Sequence, residues 1–332
     1  MTYRREILLA LIILALVVGV GLRAPAFVTP SSLLDVLTDT SCLFMLALAE
    51  MAVLLTRGID LSLAANLALT GMVVALLNHA APGVPMAAIV VLAIVFGAAL
   101  GLINALLIAG LDIPPIVVTL GTLAVYRGMI FVIAHGAWMT SKDMSPAFLA
   151  LPKAEFLGLS SLIWIAALVS IAAWGFLNHT SAGRALYAVG GNPLAARYCG
   201  IDLARQQLRV YTLGGAVAGL CGYLWVSRFG IAYSDIALGY ELTVIAACVI
   251  GGVSIAGGVG SVPGALLGAL FLGVIVNALP VINVSPFWQM AISGAVILAA
   301  VIVNSRSERQ HGKLILPEAR RKAASVSGGV QS

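Results

Sequence analysis

Long apolar runs separated by short polar breaks organise this chain from end to end. With a window of about 19 residues, the length needed to cross a hydrocarbon layer, about ten runs stand out. They lie near 6–22, 41–56, 61–78, 84–110, 114–134, 161–178, 209–227, 241–257, 261–279 and 287–304. Each predicts a transmembrane helix, because a backbone in lipid must satisfy its own hydrogen bonds. The runs at 41–56 and 241–257 are short enough to be broken, tilted or partly re-entrant. The expected fold is an all-α polytopic membrane protein.

Two polar breaks read as copies of one another. Gly58-Ile59-Asp60-Leu61-Ser62-Leu63-Ala64-Ala65 returns as Gly239-Tyr240-Glu241-Leu242-Thr243-Val244-Ile245-Ala246, and the register continues to Gly71 and Gly252. Each copy sets a lone carboxylate at the mouth of an apolar run. A second echo follows in the next run, Gly97-Ala98-Ala99-Leu100-Gly101 against Gly264-Ala265-Leu266-Leu267-Gly268. Gly-Ala-rich strings recur by chance in helical membrane proteins, but two echoes in the same order point to an internal repeat, the usual build of a transporter.

Composition confirms the solvent. The chain is 61% hydrophobic and 9% charged, with a mean hydropathy of +1.08, which no ordinary soluble surface accommodates. Its 35 glycines suggest helices in close contact. Cys42, Cys199, Cys221 and Cys248 form no paired framework and read as small apolar fillers. Counting Lys and Arg in the breaks places thirteen of the eighteen on one side if the N-terminus is cytoplasmic; Arg23, Lys142, Lys153 and Arg228 fall outside and Arg127 within a span. By the positive-inside rule both termini are cytoplasmic, and an even number of spans follows. The net charge of +5 therefore reports topology and contact with anionic lipid, not nucleic acid. Arg4-Arg5, an apolar stretch and Ala24-Pro25-Ala26 also resemble a cleavable signal peptide; the length of the stretch favours a retained first span. With this topology Asp60 opens a span running outward and Glu241 one running inward, so the repeat is inverted.

The longest cytoplasmic break, about 179–208, carries Asn192-Pro193, a good helix start, and Gly200, a good stop. Residues 195–198 between them predict a short capped helix with a small-residue face at the membrane surface. Such a helix suits docking into a partner's groove, and it equally serves as a plain connector.

These residues resemble the permease subunits of bacterial sugar-type ATP-binding-cassette importers, the group with ribose, xylose, arabinose, rhamnose and autoinducer-2 systems. The resemblance runs from about residue 40 to 304. It rests on Leu55-Thr56-Arg57-Gly58-Ile59-Asp60-Leu61-Ser62, on Ile113-Pro114-Pro115 through Gly121-Thr122 with Arg127-Gly128, on Gly183-Arg184 to Ile201, and on Gly239-Tyr240-Glu241-Leu242 through Gly251-Gly252 with Gly257-Gly258. It departs at Ala105, where relatives often show glycine, and at Leu63-Ala64-Ala65-Asn66, where many begin Val-Gly. It implies one transmembrane domain over 1–332: repeat one at about 41–134, the coupling loop at about 179–208, repeat two at about 209–304 and a basic cytoplasmic tail at 305–332. It also implies a bacterial inner-membrane location, a second permease subunit, a periplasmic sugar-binding protein and a cytoplasmic ATPase that uses ATP and Mg. Gly183, Arg184, Gly190, Gly191, Asn192, Ala195, Ala196, Arg197, Gly200 and Ile201 would form the loop that couples to that ATPase. The cargo it implies is a small neutral sugar, with Arg57 to Leu77 most similar to the rhamnose-type subgroup, then the autoinducer-2 type; a pentose also fits.

The division of labour has independent support. No G-x-x-x-x-G-K-[ST] loop occurs in the chain, His79, His135, His179 and His311 show no metal-ligand spacing, and no nucleophile grouping is present, so the chain is expected to be no enzyme and to bind no cofactor or metal. Arg57 lies three residues before Asp60 and Arg228 thirteen before Glu241; they are expected to pair, and also serve as gates at opposite ends, because an unpaired charge at membrane depth is expensive. Arg127 is expected to serve a neighbouring carbonyl or acid. Asn66, Thr70, Asn104 and Asn277 are candidates for lining the pathway or for joining helices. A secondary transporter with Asp60 and Glu241 as ion-coupling sites is the main alternative, and a non-transporting scaffold a weaker one.

Overall fold

In the computed structural model residues 2–285 are described continuously, with 287–289, 291, 292, 294, 295 and 298 beyond them. The last apolar run is described only in part, and the basic tail lies outside the described residues. Helices dominate: α1 Thr2–Arg23, α2 Pro30–Leu55, α3 Leu63–Ala80, α4 Met86–Leu111, α5 Pro115–Ala134, the short α6 Pro146–Ala150, α7 Ser161–His179, α8 Ser181–Gly191, α9 Pro193–Tyr198, α10 Leu203–Phe229, α11 Tyr240–Ile250 and α12 Val262–Val281. Among the described residues eight of them are long and apolar enough to cross a membrane. The protein is an all-α polytopic membrane protein.

Three boundaries differ from the hydropathy pattern. α2 begins at Pro30, not 41, because Thr29 caps it by accepting from Ser32 N and proline fits its first turn; Asp35, Thr38 and Asp39 depress the local hydropathy without breaking the helix. α10 begins at Leu203, not 209, behind the cap Asp202, whose Oδ1 accepts from Ala204 N at 3.0 Å. α11 stops at Ile250, because Gly251-Gly252 follows and Gly252 takes a left-handed φ of 87°. Its 11 residues span about 16 Å, half the hydrocarbon thickness.

The core is built on α2, α3 and α10, where Met45, Leu46, Met51, Leu54, Leu67, Leu69, Tyr211 and Tyr223 are fully buried. α4 meets α10 along a glycine seam. A Cβ on Gly97 would stand 2.4 Å from the Gly215 oxygen, and one on Gly101 2.2 Å from the Tyr211 oxygen, so only glycine lets the backbones approach this closely. The second echo does the same job elsewhere: Gly264 and Gly268 pack against Ala247 of α11 and Gly251 just past its end.

Contacts fix the directions of the helices. Asp39 meets Arg228, Cys42 meets Cys221 and Ala49 meets Gly214, so α2 and α10 are antiparallel. Ala93 to Gly101 descend against Gly219 to Tyr211, making α4 antiparallel to α10, whereas Leu63 and Gly71 match Gly214 and Val226, making α3 parallel to it. α12 opposes α2, with Val36 near Val274 and Ala278 and Phe44 near Leu266 and Leu270, and α11 opposes α12. Consequently α2 and α10, α3 and α11, and α4 and α12 each run in opposite senses.

One end of the bundle gathers the start of α1, the exit of α2, α8, α9 and the start of α12, where Ser261 Oγ donates to Glu6 Oε1 at 2.5 Å. The other end carries a cap formed by residues 135–160 and the loop before α11. There Met139–Thr140 pairs with Ile231–Ala232 in a two-residue antiparallel ladder, Ser145 N donates to Asn78 Oδ1 at 2.7 Å, and Trp138 stacks on Tyr233. The Thr140 N–H and hydroxyl hold the Asp143 carboxyl below its usual range.

Candidate functional site

The exit of α2, the end of α8 and the loop between α11 and α12 converge on one junction. Past Leu55, Arg57 turns the chain with a left-handed φ of 64°, a conformation costing a non-glycine residue about 1–2 kcal/mol. Its guanidinium offsets that cost across the junction: Nε donates to the Gly190 oxygen at 2.8 Å and Nη2 to the Gly191 oxygen at 3.1 Å. Gly258 N donates to the Leu55 oxygen at 3.1 Å, and Tyr187 OH to the Gly260 oxygen at 3.3 Å. Space is exhausted here. A Cβ on Gly190 would lie 1.8 Å from the Leu55 oxygen, and one on Gly258 2.4 Å from Gly191 N.

The segment 179–208 is therefore not a loose loop. It is α8, α9 and the first turns of α10. Asn192 Oδ1 accepts from Ala195 N at 3.0 Å and Pro193 opens α9, as the sequence leads one to expect, and Gly200 follows with a φ of 78°. Its residues divide in two. Gly183, Gly190 and Ala196 are buried and hold the segment to the membrane domain, while Arg184, Gly191, Asn192, Ala195, Arg197 and Gly200 are exposed and Ile201 is half-buried. The small face of α9 thus points inward through Ala196. Outward it presents Leu194, 63% exposed, and Tyr198, 84% exposed, one turn apart on a single face.

Beyond Arg57 the α2–α3 connection dips back into the bundle. Asp60 is 2% exposed and Glu50, on α2, is wholly buried. Asp60 N donates to Glu50 Oε1 at 3.2 Å, and Asp60 Oδ1 accepts from Ser62 N at 2.9 Å and Ser62 Oγ at 2.7 Å. Asn104 Nδ2 of α4 donates to Ser62 Oγ at 2.7 Å, and Thr119 Oγ1 of α5 lies 3.1 Å from the Ile59 oxygen. Segment 56–62 is thereby held by α2, α4, α5 and, through Arg57, α8.

The expected ion pairs are not formed. Arg57 serves carbonyls and not Asp60. Arg228 pairs with Asp39 of α2 at 3.1 Å, not with Glu241, because Asp39, 189 positions away in sequence, is brought beside it by the antiparallel crossing of α2 and α10. Arg127 does serve carbonyls: Nη1 donates to the Ser234 and Ile236 oxygens at 3.1 and 2.6 Å and Nη2 to the Ala237 oxygen at 2.9 Å. It holds the loop that leads into the second motif copy, with Glu241 and Asp235 the acids acting on its charge. Asp60 and Glu241 sit at opposite ends of the bundle.

Of the four polar pathway candidates, Asn66 and Asn104 bond across elements, while Thr70 and Asn277 bond within their own helices. Asn66 Nδ2 donates to the Gly97 oxygen at 3.0 Å and Thr70 Oγ1 to Asn66 Oδ1 at 3.1 Å; Asn104 belongs to the Asp60 network, and Asn277 Nδ2 bonds its own helix at the Gly273 oxygen, 3.0 Å away. Glu50, Tyr211 and Asp39 belong to no local motif, although a glutamate in the middle of an apolar run is itself a signal. Among the described residues no cluster of three or more His, Cys, Asp or Glu could hold a metal ion.

Residues 32–301 match the family described as branched-chain amino acid transport system / permease component. The ribose import permease protein RbsC of Escherichia coli (strain K12) is 36% identical over 300 residues, covering 89% of this chain and 92% of the relative. The autoinducer 2 import system permease protein LsrC of Enterobacter sp. (strain 638) is 36% identical, covering 91% and 87%. The galactose/methyl galactoside import permease protein MglC of Escherichia coli (strain K12) is 33% identical, covering 92% and 95%. No solved structure matches the chain.

Proposed function

The chain belongs to the permease family described as branched-chain amino acid transport system / permease component, and from that premise we propose that it is the transmembrane subunit of a binding-protein-dependent, ATP-driven importer of a small neutral sugar or sugar-like molecule. Its similarity to ribose, autoinducer 2 and galactose permeases supports that cargo class; a rhamnose-like sugar is the first candidate on the resemblance of Arg57 to Leu77. The partners are a cytoplasmic ATPase that uses ATP and Mg, a periplasmic binding protein and a second permease subunit, in a bacterial inner membrane. Both termini are cytoplasmic; the contact between Glu6 and Ser261 supports this for the N-terminus by placing it at the end that bears α8 and α9.

The observation that carries the proposal is the junction of Arg57 with Gly190 and Gly191. Closure of two ATPase domains would push on 183–201, and the clamp would pass that push to the α2–α3 connection and, through Gly258, to the loop after α11. The opposed senses of α2–α4 and α10–α12 support inverted repeats, which turn such a push into alternate opening. An ion-coupled transporter built on Asp60 and Glu241 is a poorer account, since the two acids lie at opposite ends and share no site.

The test is uptake into proteoliposomes holding this chain with its ATPase, companion permease and binding protein, against labelled rhamnose, ribose, xylose, galactose and autoinducer-2. Uptake of one compound only with ATP and binding protein identifies importer and cargo. Uptake without the ATPase, driven by an imposed ion gradient, refutes the proposal.

A further inference from the structure

Under segment 56–62 two carboxyl groups lie buried with no cation of the protein against them. Glu50 and Asp60 are linked through the Asp60 N–H, and the one ion pair between described side chains is elsewhere, at Arg228 and Asp39. Tyr211 of α10, Tyr126 of α5 and Cys248 of α11 lie within electrostatic reach of them, and none of these supplies a positive charge. A buried carboxylate without a counter-charge costs several kcal/mol.

Three buried oxygens on three helices lack any partner: Glu50 Oε2 on α2, Asn104 Oδ1 on α4 and Tyr211 OH on α10. All three residues are at least 99% buried, and all adjoin the same segment. Asn104 bonds Ser62, and the Tyr211 hydroxyl would be 2.5 Å from a Cβ on Gly58. Buried polar atoms are rarely left unpaired, and the Glu50 and Asn104 oxygens are acceptors that call for a donating or positively charged partner. Carboxylate, amide and hydroxyl oxygens are the donors of a hard cation. Two acids are few for Ca²⁺, which takes 6–8 oxygen ligands. A single proton can join at most two of these oxygens, whereas a cation can take all three at once.

We propose that Glu50, Asp60, Asn104 and Tyr211 form a site for one monovalent cation, Na⁺ or K⁺, that pins segment 56–62 to α2, α4 and α10. The ion is structural, and the inference stands apart from the cargo and from ATP coupling.

The experiment is thermal unfolding of the purified full-length chain in detergent, with NaCl or KCl replacing N-methyl-D-glucamine chloride at constant ionic strength. Wild type should show a melting temperature that rises and saturates with one of the two ions. Glu50→Gln, which keeps the volume, should lose the rise, and Tyr211→Phe should shift its half-saturation at least tenfold upward. A wild type indifferent to the identity of the cation overturns the proposal, whether or not the variants fold. So does stability that follows pH alone and loses that dependence in Glu50→Gln, which would assign the charge to a proton. A full cation response in both variants places the ion elsewhere and overturns it too.

Discussion

Arg57 Nε stands 2.8 Å from the carbonyl oxygen of Gly190, a residue 133 positions away in the chain. A second bond reaches Gly191 at 3.1 Å, so the guanidinium uses its fork on adjacent carbonyls, a geometry a lysine cannot reproduce. Hydrogen bonds from a charged donor are worth about 1.5–3 kcal/mol each. Arg57→Ala and Arg57→Lys should both lower ATP-driven uptake at least tenfold while the protein still inserts, measured as uptake per inserted permease. Wild-type uptake by either variant would mean that the junction does not carry the coupling.

Gly190 and Gly191 are neighbours with opposite tolerances. A Cβ on Gly190 would collide with the Leu55 oxygen and Gly258 N, whereas one on Gly191 meets nothing within 4 Å. Overpacking of this kind costs about 1–3 kcal/mol or more. Gly190→Ala should lower the melting temperature in detergent clearly, and Gly191→Ala should leave it unchanged; equal effects would contradict the packing.

Arg197 is exposed on α9 beside Leu194 and Tyr198, so its replacement should disturb a partner and not the fold. Arg197→Glu is expected to insert and melt as wild type yet lose ATPase co-purification and uptake. Tyr198→Ala should behave alike. Normal uptake by Arg197→Glu would remove the docking role of α9.

Much of this arrangement could be read from the sequence, and the exceptions have a common cause. Runs such as 114–134 became α5 almost residue for residue, since lipid demands a continuous apolar surface. The Asn192 cap was legible because it is local. What failed was long-range: Arg57 and Asp60 are three residues apart but separated by a left-handed turn, and Arg228 finds Asp39 through the crossing of two helices. Glu50 was hidden inside a run whose average hydropathy swamps one acid. Gly97 and Gly101 were visible as an echo, but their partners Gly215 and Tyr211 only emerge from packing.

The glycine seam of α4 and α10 offers a test with an internal control. Gly97→Ala and Gly215→Ala each push a methyl into the opposing backbone at 2.4 Å, while Gly121 on α5 has open space around it. The seam variants should unfold at lower denaturant or temperature, by about 1–3 kcal/mol, and Gly121→Ala should be neutral or slightly stabilising. A seam variant as stable as wild type would show that α4 and α10 do not meet at these residues.

Arg127 and Arg228 bound the same end of the bundle, and the structure gives them unequal weight. Arg228 and Asp39 are about one-third exposed, at 30% and 33%, and half-solvated pairs are worth about 1 kcal/mol or less. Asp39→Asn should therefore change melting temperature and uptake little. Arg127 binds three carbonyls of the turn before Gly239, and Arg127→Gln, with one amide in place of the fork, leaves at least one of them without a donor. That loss should loosen the entry to α11, seen as faster hydrogen exchange over 233–240 and a several-fold fall in uptake, with ATPase co-purification intact because α8 and α9 lie at the other end. If Arg127→Gln exchanged like wild type over 233–240 while Asp39→Asn did not, the order of the two contacts would have to be reversed.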